Sequence, residues 1–221
     1  HSVDRRQRQM CIRDRIVQAL KLVRDGASHS EWRMLSTAVR ELRRAFKIFR
    51  PYRSIRKISI FGSARTPRGS PEYVQAMKFS AEMVRRGYMV ITGGGPGIME
   101  AGHGGAGRER SFGVNIRLPF EQQANPIIAG DEKLINFRYF FTRKIIFVRE
   151  ANAIALFPGG FGTHDEGFEA LTLIQTGKSQ MIPIVFMDRP GGRYWRAFAD
   201  YIASYLLKPG YIDENDLALF K

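Results

Sequence analysis

The feature that most constrains the fold is an alternation, from Lys57 onwards, of short apolar runs with segments of helical periodicity. The apolar runs lie in KISIFGSA, YMVITGGG, SFGVNIRLP, INFRYF, NAIALFPGG and MIPIVFM. Strands that alternate with helices imply right-handed crossovers and parallel neighbours. The sequence therefore predicts an α/β fold, a Rossmann-like, doubly wound and mainly parallel sheet with helices on both faces.

Local signals fix the ends of one predicted helix. In SPEYVQAMKFSAEMVRRG, Ser70 stands where an N-cap is expected, Pro71 suits the first turn and Gly87 suits the end. The stretch 121–134, EQQANPIIAGDEKL, is rich in turn residues and is predicted to be a loop.

The N-terminal quarter has a different character. Residues 1–15 show no clear periodicity, which predicts a segment that is disordered or foreign to the natural protein. Residues 16–54 predict a basic helical extension of two helices, with Ser30 as a candidate cap of the second. Residues 55–221 form the predicted Rossmann-like nucleotide-binding domain, which is expected to be truncated at its C-terminus.

The net charge of +14 is concentrated in the N-terminal segment. Residues 1–57 hold 16 Lys and Arg against 5 Asp and Glu, and residues 58–221 hold 19 against 16. A solvated helical face is favoured over an arm that binds a polyanion, because charge runs usually serve solvation. Nucleic acid is therefore not an expected partner.

Several function classes are excluded by composition. Cys11 is the one cysteine and the four histidines are scattered, so neither a disulfide nor a metal site is expected. No apolar run reaches the ~18 residues of a membrane span, and no secretion signal is visible. The expected location is the cytoplasm, and no cofactor is expected.

Three glycine turns are expected at the edge of the sheet where ligands of such folds bind. They are Gly62-Ser63, Gly93 to Gly97, and Gly159 to Thr163. Glycines let backbone N–H groups approach an anion, and a following helix adds unpaired donors and partial positive charge. Neither G-x-x-x-x-G-K-[ST] nor a complete G-x-G-x-x-G is present. A phosphate group is the predicted ligand of these turns.

Thr163 and Glu166 allow two interpretations. The threonine hydroxyl can touch a phosphate, or it can cap the helix with Glu166 completing a Thr-x-x-Glu capping box. His164 is expected to be exposed and His103 to lie on a helix surface. Without a family comparison, the sequence pattern favours a surface position for Arg143.

Two motifs resemble those of a known family. GGGPGIME (93–100) resembles a GGGxxGxM turn and PGGFGTHDE (158–166) resembles PGGxGTxxE, with FGSAR, FFTRK and LTLIQTGK in the expected order. Both are motifs of the Lonely Guy family, cytokinin-activating phosphoribohydrolases often labelled "lysine decarboxylase-like". The resemblance runs from about Lys57 to Lys208 and is closer to the longer bacterial members than to the compact plant type.

The resemblance implies hydrolysis of the N-glycosidic bond of AMP or an N6-modified AMP, giving free base and ribose 5-phosphate. It implies that Arg143 and Glu166 are catalytic, with possible support from Asp165. The substrate-binding set that it implies consists of Gly62, Ser63, Gly93, Gly94, Gly95, Gly97, Met99, Lys144, Pro158, Gly159, Gly160, Gly162 and Thr163.

Partners and alternatives follow from the same comparison. The expected partners are a nucleoside monophosphate and a second copy of the chain in a homodimer or higher homo-oligomer, without a membrane. The alternative is a non-catalytic nucleotide or molybdenum-cofactor carrier of the same fold, for which the pair Arg143 and Glu166 is not needed. A decarboxylase that uses pyridoxal phosphate is not supported by the context of any lysine.

Overall fold

The computed structural model describes residues 2–117 and 123–221, with only the main chain for residues 2–6 and 8. The chain forms two compact units, residues 1–40 and residues 41–221. His1, the end of the predicted strand SFGVNIRLP and the start of the predicted loop 121–134 lie outside the described residues. The predicted division into 1–15, 16–54 and 55–221 stays a prediction.

The first unit contains helix α1 (Ser2–Arg24) and the start of helix α2 (His29–Phe49). Helix α1 begins within the stretch for which the sequence indicates no periodicity. The Ser28 hydroxyl accepts a hydrogen bond from the Glu31 N–H, while the Glu31 carboxylate accepts from the Ser28 N–H at 2.6 Å. This capping box identifies Ser28 as the cap, so the assignment to Ser30 was wrong by two residues.

The second unit is built on six strands and five further helices. The strands are β1 (Lys57–Phe61), β2 (Met89–Thr92), β3 (Ser111–Ile116), β4 (Leu134–Phe137), β5 (Ala153–Leu156) and β6 (Ile184–Phe186). The helices are α3 (Pro71–Arg85), α4 (Ile98–Ala106), α5 (Phe140–Glu150), α6 (Phe161–Gln175) and α7 (Tyr194–Ile202). Short helical turns cover Arg50–Tyr52, Arg108–Arg110, Ala203–Leu207 and Glu214–Leu219.

The six strands form one parallel sheet in the order β4-β3-β2-β1-β5-β6. The chain moves outward from β1 to β4 and then returns to place β5 on the other side of β1. This reversal creates a crevice between the carboxyl ends of β1 and β5, which is where ligands of doubly wound sheets bind. The predicted Rossmann-like fold is confirmed.

Each face of the sheet has its own apolar core. Ile58, Ile60 and Val90 pack against helices α3 and α4 on one face. Met89 and Ile91, whose side chains alternate with Val90, belong to the core on the other face, together with residues of α5 and α6. Strands buried on both sides explain why the sequence shows continuous apolar runs without alternation.

The predicted ends of helix α3 are confirmed. The Ser70 hydroxyl accepts a hydrogen bond from the Tyr73 N–H at 3.3 Å, and Pro71 is the first helical residue. Gly87 follows the helix with a φ of 84°, a conformation that favours glycine.

Candidate functional site

A cavity of about 640 Å³ lies at the carboxyl ends of β1 and β5. The turn after β1 contributes Gly62, Ser63, Ala64 and Arg65 to its wall. The first turns of α5 and α6 lie opposite, so that the cavity occupies the crevice formed by the reversal of strand order. The volume is within the range of small-molecule sites.

The start of helix α6 presents main chain to this cavity. The helix begins at Phe161 with Gly160 as its N-cap residue, and no side chain caps it. A Cβ atom at Gly160 or Gly162 would meet no heavy atom within 4 Å, so both glycines leave open space. The first N–H groups of a helix have no intrahelical acceptor and carry partial positive charge. This arrangement can bind a phosphate.

The capping interpretation of Thr163 and Glu166 is wrong. Thr163 is the third residue of α6 and is buried, and its Oγ1 lies where a Cβ on Gly159 would stand. Glu166 contacts a different helix: its Oε1 accepts a hydrogen bond from Nη1 of Arg143 at 3.4 Å.

Arg143 is held by three neighbours at the floor of the cavity. Its Nε donates to the carbonyl oxygen of Val114 at 2.9 Å, and Nη1 reaches Glu166. A Cβ atom on Gly93 would stand 2.7 Å from Nη2 and 2.6 Å from the sulfur of Met99. Glycine at position 93 is therefore required for the observed position of the guanidinium group.

The environment shifts the pKa of both members of this pair. Burial raises the pKa of Glu166 to about 7, against the opposing effect of the Arg143 and Lys144 charges. Burial lowers the pKa of Arg143, while Glu166 acts in the opposite direction. A carboxyl group with a pKa close to 7 can exchange a proton near neutral pH, as acid–base catalysis requires.

The cavity brings together part of the predicted set. Its wall contains both proposed catalytic residues and Asp165, as well as Gly62, Ser63, Met99, Gly160, Gly162 and Thr163. The remaining predicted residues do not line it: Gly93, Gly94, Gly95, Gly97, Lys144, Pro158 and Gly159.

The turn from Gly93 to Gly97 packs against the turn after β1 and supports it. Gly97 has a φ of 65°, and a Cβ atom there would overlap the carbonyl oxygen of Ser63. The close approach lets the Ile98 N–H donate to that oxygen at 3.1 Å. The second glycine turn thus positions the first one and places Met99 in the cavity wall.

Lys144 forms an ion-paired cluster beside the cavity. Its Nζ lies 2.9 Å from Oδ1 of Asp165 and 2.9 Å from Oε2 of Glu169. Burial opposes the charged form, but hydrogen bonds to the two carboxylates raise the pKa of Lys144 overall. Asp165 is therefore a partner of Lys144, and it has no described contact with Glu166.

Five residues of the cavity wall were missed by the sequence-based prediction. They are Phe61, Ala64, Arg65, Phe140 and Phe161. Arg65 and the two exposed aromatic residues, Phe140 and Phe161, stand within the segments FGSAR, FFTRK and PGGFGT. Proximity to a motif was thus the available signal, but nothing in the spacing shows which side chains line the cavity.

The prediction that His103 lies on a helix surface was wrong. Its side chain is fully buried, and Nε2 donates to the carbonyl oxygen of Phe112 at 3.1 Å. Nδ1 lies 3.1 Å from the amide nitrogen of Asn125, whose two N–H groups donate to the carbonyl oxygens of Gly94 and Gly95. His103 and Asn125 therefore hold the second glycine turn.

This histidine predicts a pH dependence of stability. Burial lowers the pKa of His103 from 6.5 to about 4, against opposing hydrogen bonds to Phe112 and Asn125. The stability that neutral His103 contributes is fully present above pH 6.5 and is lost as the pH falls through 4. The total loss in the free energy of unfolding is about 3 kcal/mol. We expect His103→Gln to reduce the difference in unfolding free energy between pH 7.5 and pH 4 by about that amount. Urea denaturation of both proteins measures it, and equal pH dependence would contradict the assignment.

His164 is half-buried, which corrects the prediction that it is exposed. Its Nε2 lies 2.6 Å from the hydroxyl oxygen of Tyr194, which itself donates to the carbonyl oxygen of Gly159. The rings of Trp195 and Phe198 lie 5.6 and 5.4 Å from its ring. This aromatic cluster supports the turn before α6, and burial lowers the pKa of His164.

Within residues 2–117 and 123–221, no helix has both the length and the apolar character needed to cross a membrane.

Comparison with known proteins adds sequence evidence. Residues 96–221 match the family model described as possible lysine decarboxylase. A pyrimidine/purine nucleotide 5′-monophosphate nucleosidase of Escherichia coli (strain K12) is 28% identical over 145 residues, which cover 61% of this chain and 32% of that protein. A protein of Oryza sativa subsp. japonica named probable cytokinin riboside 5′-monophosphate phosphoribohydrolase is 29% identical over 125 residues, covering 54% of this chain and 49% of that protein.

The chain spans about a third of the first of these relatives and about half of the second. One solved structure, the X-ray structure of a structural genomics target, has a TM-score of 0.51 and 20% identity. It is matched over 76% of this chain and 90% of that chain. This likeness shows a shared fold.

Proposed function

This chain belongs to the family described as possible lysine decarboxylases. From the names of its relatives and the geometry of the site, we propose that it hydrolyses the N-glycosidic bond of a purine nucleoside 5′-monophosphate. The products are the free base and ribose 5-phosphate. AMP or an N6-modified AMP is the proposed substrate. The names of the two curated relatives support this reaction class.

One observation carries the proposal: Arg143 and Glu166 meet at 3.4 Å in the wall of a cavity that the start of helix α6 also lines. The helix start suits the 5′-phosphate, and the carboxylate suits the sugar. A protein that only holds a nucleotide has no need of a buried acid whose pKa is about 7.

The proposed chemistry assigns one role to each side chain. As the bond between C1′ and the base nitrogen breaks, its electron pair leaves with the base and the ribose gains oxocarbenium character. The Glu166 carboxylate stabilises this positive charge and accepts a proton from the water that attacks C1′. Arg143 donates hydrogen bonds to the departing base, whose negative charge increases in the transition state. The base then takes up a proton from solvent, and Glu166 returns its proton to solvent.

Decarboxylation through pyridoxal phosphate does not fit the described residues. That cofactor needs a lysine for its Schiff base, and no lysine lines the cavity in the described part of the chain. The Nζ of Lys57 donates to the carbonyl oxygens of Tyr52 and Ile55, at the other end of β1. Lys144 is paired with two carboxylates.

A chromatographic screen tests the proposal. We expect the purified chain to release adenine and ribose 5-phosphate from AMP, and N6-modified AMP and the other nucleoside monophosphates should be compared at equal concentration. Glu166→Gln should lose this release. Its matched control is Glu169→Gln, which makes the same change one turn further along α6 and should retain activity within about threefold.

Failure to release a base from any purine monophosphate would overturn the proposal. Saturable binding of AMP without cleavage would favour the alternative, a nucleotide carrier of the same fold. The preference for an N6-modified base, the homo-oligomeric state and the cytoplasmic location stay predictions that this screen does not address.

A further inference from the structure

A second cavity, of about 680 Å³, lies away from the candidate active site. Its wall includes the last turn of α5 and the segment 178–182 that follows α6. Because α5 ends just before β5 begins, this cavity lies at the amino edge of the sheet, opposite the ligand edge of the fold.

Positive charge dominates the polar part of this cavity. Arg53, Arg149 and Lys178 line it, and Glu150 is the acidic residue among its described lining. Arg149 lies 3.7 Å from the Glu150 carboxylate, a long contact, and 5.0 Å from the centre of the Phe46 ring. Arg53 and Lys178 are exposed and make no ion pair among the described residues. Three positive charges and one negative charge leave a surplus of two.

The rest of the wall combines the polar residues Ser179 and Gln180 with apolar side chains that are incompletely covered. Ile145 is exposed, while Val148, Leu173 and Ile182 are half-buried. This cavity places apolar side chains beside cations that have no carboxylate partner. An amphiphilic anion suits it better than water, because the apolar body of the anion covers the apolar side chains while its negative charges contact the cations.

We propose that this cavity is a second binding site, which takes a small organic dianion with an apolar body. The two negative charges balance the surplus of two, and the volume is typical of small-molecule sites. Phosphate monoesters and aromatic dicarboxylates share this chemistry. The site uses no residue of the candidate active site.

Isothermal titration of the full chain with phenyl phosphate and, separately, with isophthalate tests the proposal and distinguishes the two kinds of dianion. We expect saturable binding of at least one probe, weakened about tenfold by Arg53→Ala and about tenfold by Lys178→Ala. Both residues are exposed, so their removal leaves the fold intact, which thermal melting checks. The matched control is Arg65→Ala, which removes a cation from the first cavity and should leave this affinity unchanged.

Binding lost in Arg65→Ala but kept in Lys178→Ala would place the anion in the first cavity and overturn the proposal. A flat titration with both probes overturns it too, including the case in which sedimentation shows a second copy of the chain covering the cavity. The heat of binding does not depend on nucleotide cleavage. A failure here is therefore distinguishable from a failure of the proposed hydrolysis.

Discussion

Replacing Glu166 with glutamine is expected to lower base release from AMP by about a thousandfold or more while leaving the fold intact. The amide fills the same space but neither carries negative charge nor accepts a proton. Base release measured by chromatography gives the rate, and circular dichroism checks the fold. Near-normal cleavage by this variant would contradict the role of Glu166.

The pH profile gives the same prediction a second readout. The proposed role needs the ionised carboxylate, and the pKa of Glu166 is raised to about 7. We therefore expect kcat/KM to rise with pH through about 7. A profile that falls through the same range would assign Glu166 the role of an acid instead.

Stability is expected to change in the opposite direction. A carboxyl group whose pKa is raised on folding contributes stability that is present below its unfolded pKa and is lost as the pH rises through the folded value. The gap between 4.5 and about 7 corresponds to about 3 kcal/mol for this buried residue. Glu166→Gln should therefore unfold at higher urea concentration than the unmodified chain at pH 8.5, with a smaller difference at pH 5.

The second large effect is expected at Arg143. Arg143→Lys should lower kcat by about a hundredfold or more. A single ammonium group cannot reproduce the planar guanidinium group, which donates to Val114 and to Glu166 at the same time. Arg143→Met should lower it at least as far. Steady-state kinetics of both variants gives the values, and full activity in Arg143→Lys would show that its charge alone is sufficient.

The two arginine variants separate charge from geometry. The Arg143 charge lowers the pKa of Glu166 against the larger effect of burial. Arg143→Met removes this charge and should move the midpoint of the pH profile upward, whereas Arg143→Lys should move it little. Equal midpoints in the two variants would mean that Glu166 does not sense the charge at position 143.

The sequence predicted the architecture because its signals are local. Ser70 and Gly87 mark the ends of a helix through their own chemistry, and apolar runs followed by glycine mark parallel strands. The placement of the glycine turns after β1, β2 and β5 at one edge follows from strand direction alone. The three strands are also neighbours in the sheet.

The site was predictable only in part, because its geometry depends on contacts between distant segments. Arg143 and Glu166 lie 23 positions apart on two helices, and family resemblance suggested their roles without indicating that they meet. His103 occurs in a glycine-rich helix whose pattern gives no sign of the surrounding strands that bury it. Lys144 is in the R-K pair as expected, yet it is ion-paired with two carboxylates and is not among the residues that line the cavity.

In the first cavity, the proposed phosphate binding depends on the main chain and the proposed bond cleavage depends on side chains. This difference has an evolutionary consequence. The proposed phosphate contacts come from peptide N–H groups at the start of α6, which exist whatever side chains surround them. The proposed chemistry rests on two side chains, each encoded by a single codon. A descendant that lost Arg143 and Glu166 would keep the main chain to which the phosphate contacts are assigned, so a change from the proposed enzyme to a binding protein would need no alteration of the backbone.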